Sequence, residues 1–89
     1  MAWTIEISPT AQRQLKALDR PVQELILHYL TDKIEGCKNP RHFGESLRAN
    51  RAGLWRYRVG DYRIICRIED EKVVVLVLNI GHRSEIYTT

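Results

Sequence analysis

The segment Leu54 to Ile68, LWRYRVGDYRIICRI, constrains this chain more than any other, because Gly60-Asp61 between two alternating runs predicts a tight β-hairpin of definite register. A Gly-Asp pair suits a two-residue type II′ turn, which pairs Val59 with Tyr62, Arg58 with Arg63, Tyr57 with Ile64 and Arg56 with Ile65. Side chains alternate along a strand, so Trp55, Tyr57, Val59, Tyr62, Ile64, Cys66 and Ile68 share a face fit for burial. Arg56, Arg58, Arg63 and Arg67 share the opposite face. Like charges placed directly across a sheet destabilise it, so a cluster of this kind calls for a functional explanation, and a polyanion is the obvious partner.

The distribution of charge carries the same point further. Residues 41–68 hold seven arginines against only Glu45 and Asp61, whereas the segments on either side are neutral or acidic. Every basic residue of that middle third is Arg, whose planar fork binds phosphate bidentately and stacks on bases, which favours RNA or another phosphate-rich surface. A solvated basic sheet face, or a surface that docks an acidic protein segment, is the alternative. With 89 residues and 44% hydrophobic content the chain suits a single domain, 1–89, with a core just large enough to fold unaided. The opening MAWTIEISPT lacks a basic start followed by an apolar run, and Val73 to Ile80 is too short to span a bilayer, so a soluble intracellular protein without a membrane partner is expected. Cys37 and Cys66 show no metal spacing, and His28 and His42 have no second ligand nearby, so neither a metal nor another cofactor is expected.

Along the chain, Ala2 to Ser8 alternates as a first strand with Trp3, Ile5 and Ile7 on one face. Ser8 reads as an N-cap and Pro9 as the first residue of a helix whose stripe is Ala11, Leu15 and Leu18. Asp19 and Pro21 restart the pattern in a longer helix ending near Gly36, with Val22, Leu25, Ile26, Tyr29 and Leu30 as its apolar face and Leu27 and Ile34 off its centre, which reads first as a wide core face and second as an exposed edge for a partner. Cys37 to Gly53 reads as a long loop with at most one helical turn. Lys72 to Ile80, KVVVLVLNI, is apolar on both faces, as a central strand would be. The expected architecture is α+β, in the order β-α-α-β-β-β, with a mainly antiparallel four-stranded sheet, a helical hairpin packed on one face and the arginines on the other.

Gly53-Leu54-Trp55-Arg56-Tyr57-Arg58-Val59-Gly60-Asp61-Tyr62-Arg63, followed by a valine-rich strand and Gly81-His82-Arg83-Ser84-Glu85-Ile86-Tyr87, resembles the RelE/ParE toxin superfamily over nearly the whole chain. Members similar to RelE cut mRNA in the ribosomal A site without a metal. A co-expressed antitoxin restrains them. ParE-like members share the fold and poison DNA gyrase. The resemblance therefore implies a cytoplasmic toxin with three associations: the ribosome and its mRNA, a cognate RelB-like antitoxin that is acidic and partly disordered, and operator DNA reached through that antitoxin. RelE site positions carried onto this chain fall on Arg56, Arg58, Arg63, Arg83 and Tyr87.

RelE has lysines at the two hairpin positions, and an arginine stays protonated in proteins, so proton transfer here needs other groups. YoeB-like members use a glutamate just before the loop leucine and a histidine near the C-terminus. Glu45-Ser46-Leu47 and His82 hold similar sequence positions, with His82 and Arg83 competing for one role. The resemblance thus implies a phosphate clamp of Arg56, Arg58 and Arg63, a base at Glu45, an acid-side group at His82 or Arg83, and a nucleotide contact at Tyr87. Arg67 extends the RNA-binding face or pairs with Glu69 or Asp70. Arg48 and Arg51 contact ribosomal RNA or keep their loop solvated.

Overall fold

The computed structural model describes residues 2–47 and 53–85. Its strands are β1 (Thr4–Ile7), β2 (Glu45–Ser46), β3 (Leu54–Val59), β4 (Tyr62–Glu69) and β5 (Val74–His82), and its helices are α1 (Pro9–Lys16) and α2 (Arg20–Tyr29). The hairpin of β3 and β4 has the expected register throughout, from Val59 opposite Tyr62 to Arg56 opposite Ile65. Gly60 has a φ of +59° while Asp61 stays at negative φ. Positive φ at the first turn position alone is the type II′ signature, and it matches the right-handed twist of the flanking strands.

The sheet order is β1-β5-β4-β3-β2, giving five strands where four were expected. The additional strand is β2, a two-residue element inside the long loop. No periodicity marks so short a strand. Its cause is local: Gly44 has a φ of +75°, and a Cβ there would lie 2.3 Å from the Arg56 carbonyl oxygen. Only glycine permits that close approach. Trp55 Nε1 donates to the Phe43 carbonyl at 2.6 Å and Tyr57 Oη to the Pro40 carbonyl at 2.8 Å, which holds the loop against β3. The single helical turn anticipated in the loop is a 3₁₀ turn at Pro40–His42.

The strand β5 is central, as its two apolar faces suggested; it pairs parallel with β1 and antiparallel with β4. A bulge leaves Leu78 without a partner, since Ile65 faces Asn79 while Cys66 faces Val77. The extra residue is stitched to α1 and its cap. Ser8 Oγ donates to the Leu78 carbonyl at 3.1 Å, and Gln14 Oε1 accepts from the Ile80 N–H at 2.7 Å. Ser8 also caps α1, its Oγ accepting from the Ala11 N–H.

Both helices cover one face of the sheet, and Ala11, Leu15, Ile26, Leu30 and Ile34 meet Tyr57, Val59, Ile64, Cys66, Val75, Val77 and Ile80 in the core. At roughly 25 cal/mol per Å² of apolar surface, this burial is the main term holding the domain together. The expected face of α2 needs correction: Leu25 is 54% exposed and Leu27 37%, whereas Ile34 is fully buried. Leu25 sits about 100° around the helix from Ile26, outside the stripe that Val22, Ile26 and Leu30 define. Beyond Tyr29 the helix continues as a π turn over Leu30–Ile34, closed by Glu35 N–H to the Leu30 carbonyl at 2.8 Å. That widened turn brings Ile34 into the core. Cys66 is buried and Cys37 half-buried, and both are free thiols. Burial pushes the Cys66 thiol well above its ordinary value, so it serves as a small hydrophobe.

Candidate nucleic-acid interface

Strand alternation sends Arg56, Arg58, Arg63 and Arg67 away from the helices, as the hairpin register requires. The face they share is not purely cationic. Leu54 lies opposite Arg67, which in turn lies opposite Leu76, and Ile65 beside Arg56 is only 3% exposed. Four arginines therefore frame an apolar strip along the sheet.

At the hairpin tip Arg58 and Arg63 face each other, and Gly81, with no side chain, occupies the next strand beside Arg63. The Arg63 guanidinium folds over the turn, where Nη1 donates to the carbonyls of Gly60 and Tyr62 at 3.1 Å each. Burial first, then the positive charges of Arg58, Arg56 and Arg83, pull the Arg63 pKa below its ordinary value. Arg63 thus feels all three of these charges. Asp61 provides the opposing charge, and it reaches Arg83 only at 4.0 Å. An arginine remains charged under such repulsion, so the tip concentrates positive charge.

Arg83 is brought to this tip by its backbone, because its N–H donates to the Asp61 carbonyl at 2.8 Å. His82 is not brought there. It lies opposite Tyr62, on the side of the sheet that carries the helices, with the two rings edge to face at 5.5 Å between centroids. The two residues that competed for one role in the sequence are thus separated where β5 ends: His82 is its last residue, opposite Tyr62, and Arg83 enters the turn that is tied to Asp61.

Glu45 on β2 lies opposite Arg56 and forms an ion pair with it. Arg56 is mostly shielded, and its Nε is buried without a hydrogen-bond partner. Beside this pair a shallow recess of about 250 Å³ is lined by Tyr29, Gly44, Glu45 and Arg58. The recess joins the carboxylate to the arginine cluster. It also adds two residues that sequence reading did not select: Tyr29, placed at the end of α2 near Tyr57, and Gly44. An aromatic in a helical stripe carries no signal beyond core packing, and the positive φ of Gly44 is invisible in sequence.

Arg67 departs from the cluster, since its nearest acid is Glu69 at 3.9 Å, the local pairing considered from the sequence. Arg48, Arg51 and Tyr87 lie outside the described residues. Among the described residues no three His, Cys, Asp or Glu side chains are grouped to hold a metal ion. No helix among them is long and apolar enough to cross a membrane.

Comparison with known proteins places this geometry in a family. Residues 5–87 match the family model of the ParE toxin of the type II toxin-antitoxin system parDE. The chain is 31% identical over 87 residues to toxin RelG of Mycobacterium tuberculosis, covering 98% of each chain. It is 30% identical over 91 residues to the mRNA interferase toxin RelE of Escherichia coli, covering 99% of this chain and 93% of that one. Among solved structures, a chain in the RelBE2 toxin-antitoxin complex of Mycobacterium tuberculosis superposes with a TM-score of 0.82 at 29% identity, covering 94% of both. With an arginine-tipped hairpin on a five-stranded sheet backed by two helices, the chain belongs to the ParE toxin family, within the RelE/ParE superfamily of type II toxin-antitoxin toxins.

Proposed function

We infer that this toxin is a metal-independent endoribonuclease that cuts mRNA in the ribosomal A site and so stops translation in the cytoplasm. The observation that carries the reading is the meeting of Arg58, Arg63 and Arg83 at the hairpin tip, opposed among the described residues only by Asp61, with the Glu45-paired Arg56 next along the strand. In such a cleavage the ribose 2′-oxygen bonds to the adjacent phosphorus, the bond to the 5′-oxygen breaks, and a proton passes from the 2′-hydroxyl to the base while the 5′-oxygen gains one. Arg58 and Arg63 hold the non-bridging oxygens as negative charge accumulates, a role worth roughly 3 kcal/mol per well-placed donor.

Glu45 is the base. Its ion pair with Arg56 keeps it occupied in the free protein, and a phosphate arriving at the tip competes for the Arg56 guanidinium and releases the carboxylate. Arg83 takes the acid-side position by donating a hydrogen bond that stabilises the departing 5′-oxyanion, while solvent water gives that oxygen its proton, since the guanidinium keeps its own. Tyr87 contributes a nucleotide contact, and Arg48, Arg51 and Arg67 contact RNA farther from the scissile bond. The shortage of proton-transfer groups in this set assigns part of the substrate alignment to the ribosome.

The natural restraint is a cognate antitoxin of RelB type, acidic and partly disordered, which carries the pair to operator DNA. The half-buried Leu54 and Leu76 among arginines have the chemistry to receive an amphipathic acidic segment. The ParE description of the matching family keeps a second reading in view, inhibition of DNA gyrase without cleavage.

Primer extension on a defined mRNA in a reconstituted translation system decides between them. Cuts inside A-site codons that vanish without ribosomes, and that Arg63→Ala abolishes, support the ribonuclease. Intact mRNA together with blocked gyrase supercoiling supports the alternative.

A further inference from the structure

His82 makes contacts that suit a different task from proton transfer. The backbone N–H of Ser84 donates to His82 Nδ1 at 3.1 Å, and Ser84 Oγ lies 2.8 Å from the same nitrogen. A backbone N–H can only donate, so Nδ1 is the acceptor and the ring proton sits on Nε2. The His82 carbonyl meanwhile accepts from the Glu85 N–H at 2.8 Å. Ring and carbonyl together close the turn over residues 82–85, in the way an asparagine or aspartate oxygen closes an Asx-turn by accepting from the N–H two residues on. Within that turn, Arg83 is the residue tied to Asp61, through its N–H at 2.8 Å and its guanidinium at 4.0 Å.

We propose that His82 is a positioning residue: its Nδ1 caps the turn that sets Arg83 on the hairpin tip, with Ser84 fixing the tautomer, and it takes no part in moving a proton during cleavage. Acting as a proton donor would require an imidazolium. Its Nδ1–H would then point at the Ser84 N–H and break the cap. The Tyr62 edge contact fixes the ring from the other side, on the face away from Arg58 and Arg63. The effect on cleavage rests on the ribonuclease reading above, whereas the effect on the turn does not.

Three variants of the full chain separate the roles. Asparagine at this position, in His82→Asn, keeps an acceptor within reach of the Ser84 N–H and cannot exchange a proton. His82→Ala removes the acceptor. His82→Gln moves it one carbon too far. Amide hydrogen exchange at Arg83 and Ser84 is expected to quicken about tenfold in His82→Ala and His82→Gln, the consequence of one lost hydrogen bond, and to stay close to wild type in His82→Asn. Ribosome-dependent cleavage follows the same order, with His82→Asn active. Nitrogen-15 spectra of the wild-type imidazole are expected to show the proton on Nε2.

Three results would overturn the proposal: a proton on Nδ1, undisturbed exchange in His82→Ala, or a His82→Asn protein with wild-type protection at Arg83 that cleaves no better than His82→Ala. Should the wild-type protein leave mRNA intact, the ribonuclease reading falls. The exchange comparison then still decides the positioning role.

Discussion

The two ends of the sheet treat the same residue type in opposite ways. At the turn between β4 and β5, Arg41 meets Asp70 through two hydrogen bonds of 2.9 Å, Arg67 approaches Glu69 at 3.9 Å and Lys72 reaches Glu69 at 3.7 Å. At the hairpin tip, Arg58 and Arg63 are set opposite each other, and Asp61 comes no closer than 4.0 Å to Arg83. The contrast shows in the protonation equilibria. Hydrogen bonding to Asp70 raises the Arg41 pKa, whereas burial and its arginine neighbours lower that of Arg63. Charge at the first end is matched within the fold. Charge at the second is poorly matched among the described residues, at some cost to the sheet. Counting arginines on a face therefore overstates a site, and the acids that face them decide which ones are available.

The sharpest way to break this comparison is to remove one arginine from each end. Arg63→Ala is expected to lower ribosome-dependent cleavage by a factor on the order of 100 to 1,000, the usual effect of deleting a donor to developing phosphate charge. Arg67→Ala, about 13 Å away along β4 at the strand rise, is expected to stay within roughly threefold of wild type. Equal losses in single-turnover assays would show that the whole face, not the tip, engages RNA.

Next in size is the loop that carries Glu45. Gly44→Ala forces a side chain against the Arg56 carbonyl at 2.3 Å and the Trp55 and Tyr57 rings at 2.8 Å each, in a backbone conformation that alanine rarely adopts. Chemical denaturation is expected to show a loss of about 2–3 kcal/mol, accompanied by reduced cleavage as β2 leaves β3. Trp55→Phe, which deletes the donor to the Phe43 carbonyl, weakens the same attachment by about 1 kcal/mol. A fully active Gly44→Ala protein would remove Glu45 from the mechanism.

Much of this was legible in sequence because it depends on strict alternation about one well-marked turn. Gly60-Asp61 sets the register of Arg58 and Arg63, and the period of two then sends Tyr57 and Ile64 to the core. The cap at Ser8 and the central place of β5 follow from equally local signals. What escaped depends on contacts distant in sequence or on backbone irregularities. The strand β2 exists because Gly44 approaches β3, the π turn that carries the expected core residue Ile34 inward has no mark in the sequence, and Leu25 is exposed because no element among the described residues covers that side of α2. The choice between His82 and Arg83 rested on positional resemblance, which does not mark where β5 ends; His82 closes the strand opposite Tyr62, and Arg83 falls in the turn that the Asp61 carbonyl holds.

The smallest expected effects concern stability, and they have opposite signs at the two ends. Replacing Arg58 by threonine removes the like-charge pair and adds a residue suited to a strand, so Arg58→Thr is expected to raise stability by about 0.5 kcal/mol while impairing cleavage. At the other end, Asp70→Asn removes the Arg41 ion pair. The hydrogen bonds from Arg41 hold the Asp70 pKa below the ordinary carboxylate value, so the folded state binds fewer protons there than the unfolded chain. The resulting stability is complete above the unfolded pKa and is lost as pH falls through the lower folded one. Urea titrations should therefore show wild type slightly ahead of Asp70→Asn at neutral pH, with the gap closing only in strongly acidic solution. Because Asp70 is exposed and its pairing screened by salt, the gap at neutral pH should also shrink with added salt. A gap that instead widened on acidification would mean that Arg41 is neutralised by some other acid, and that the two ends differ less than their geometry indicates.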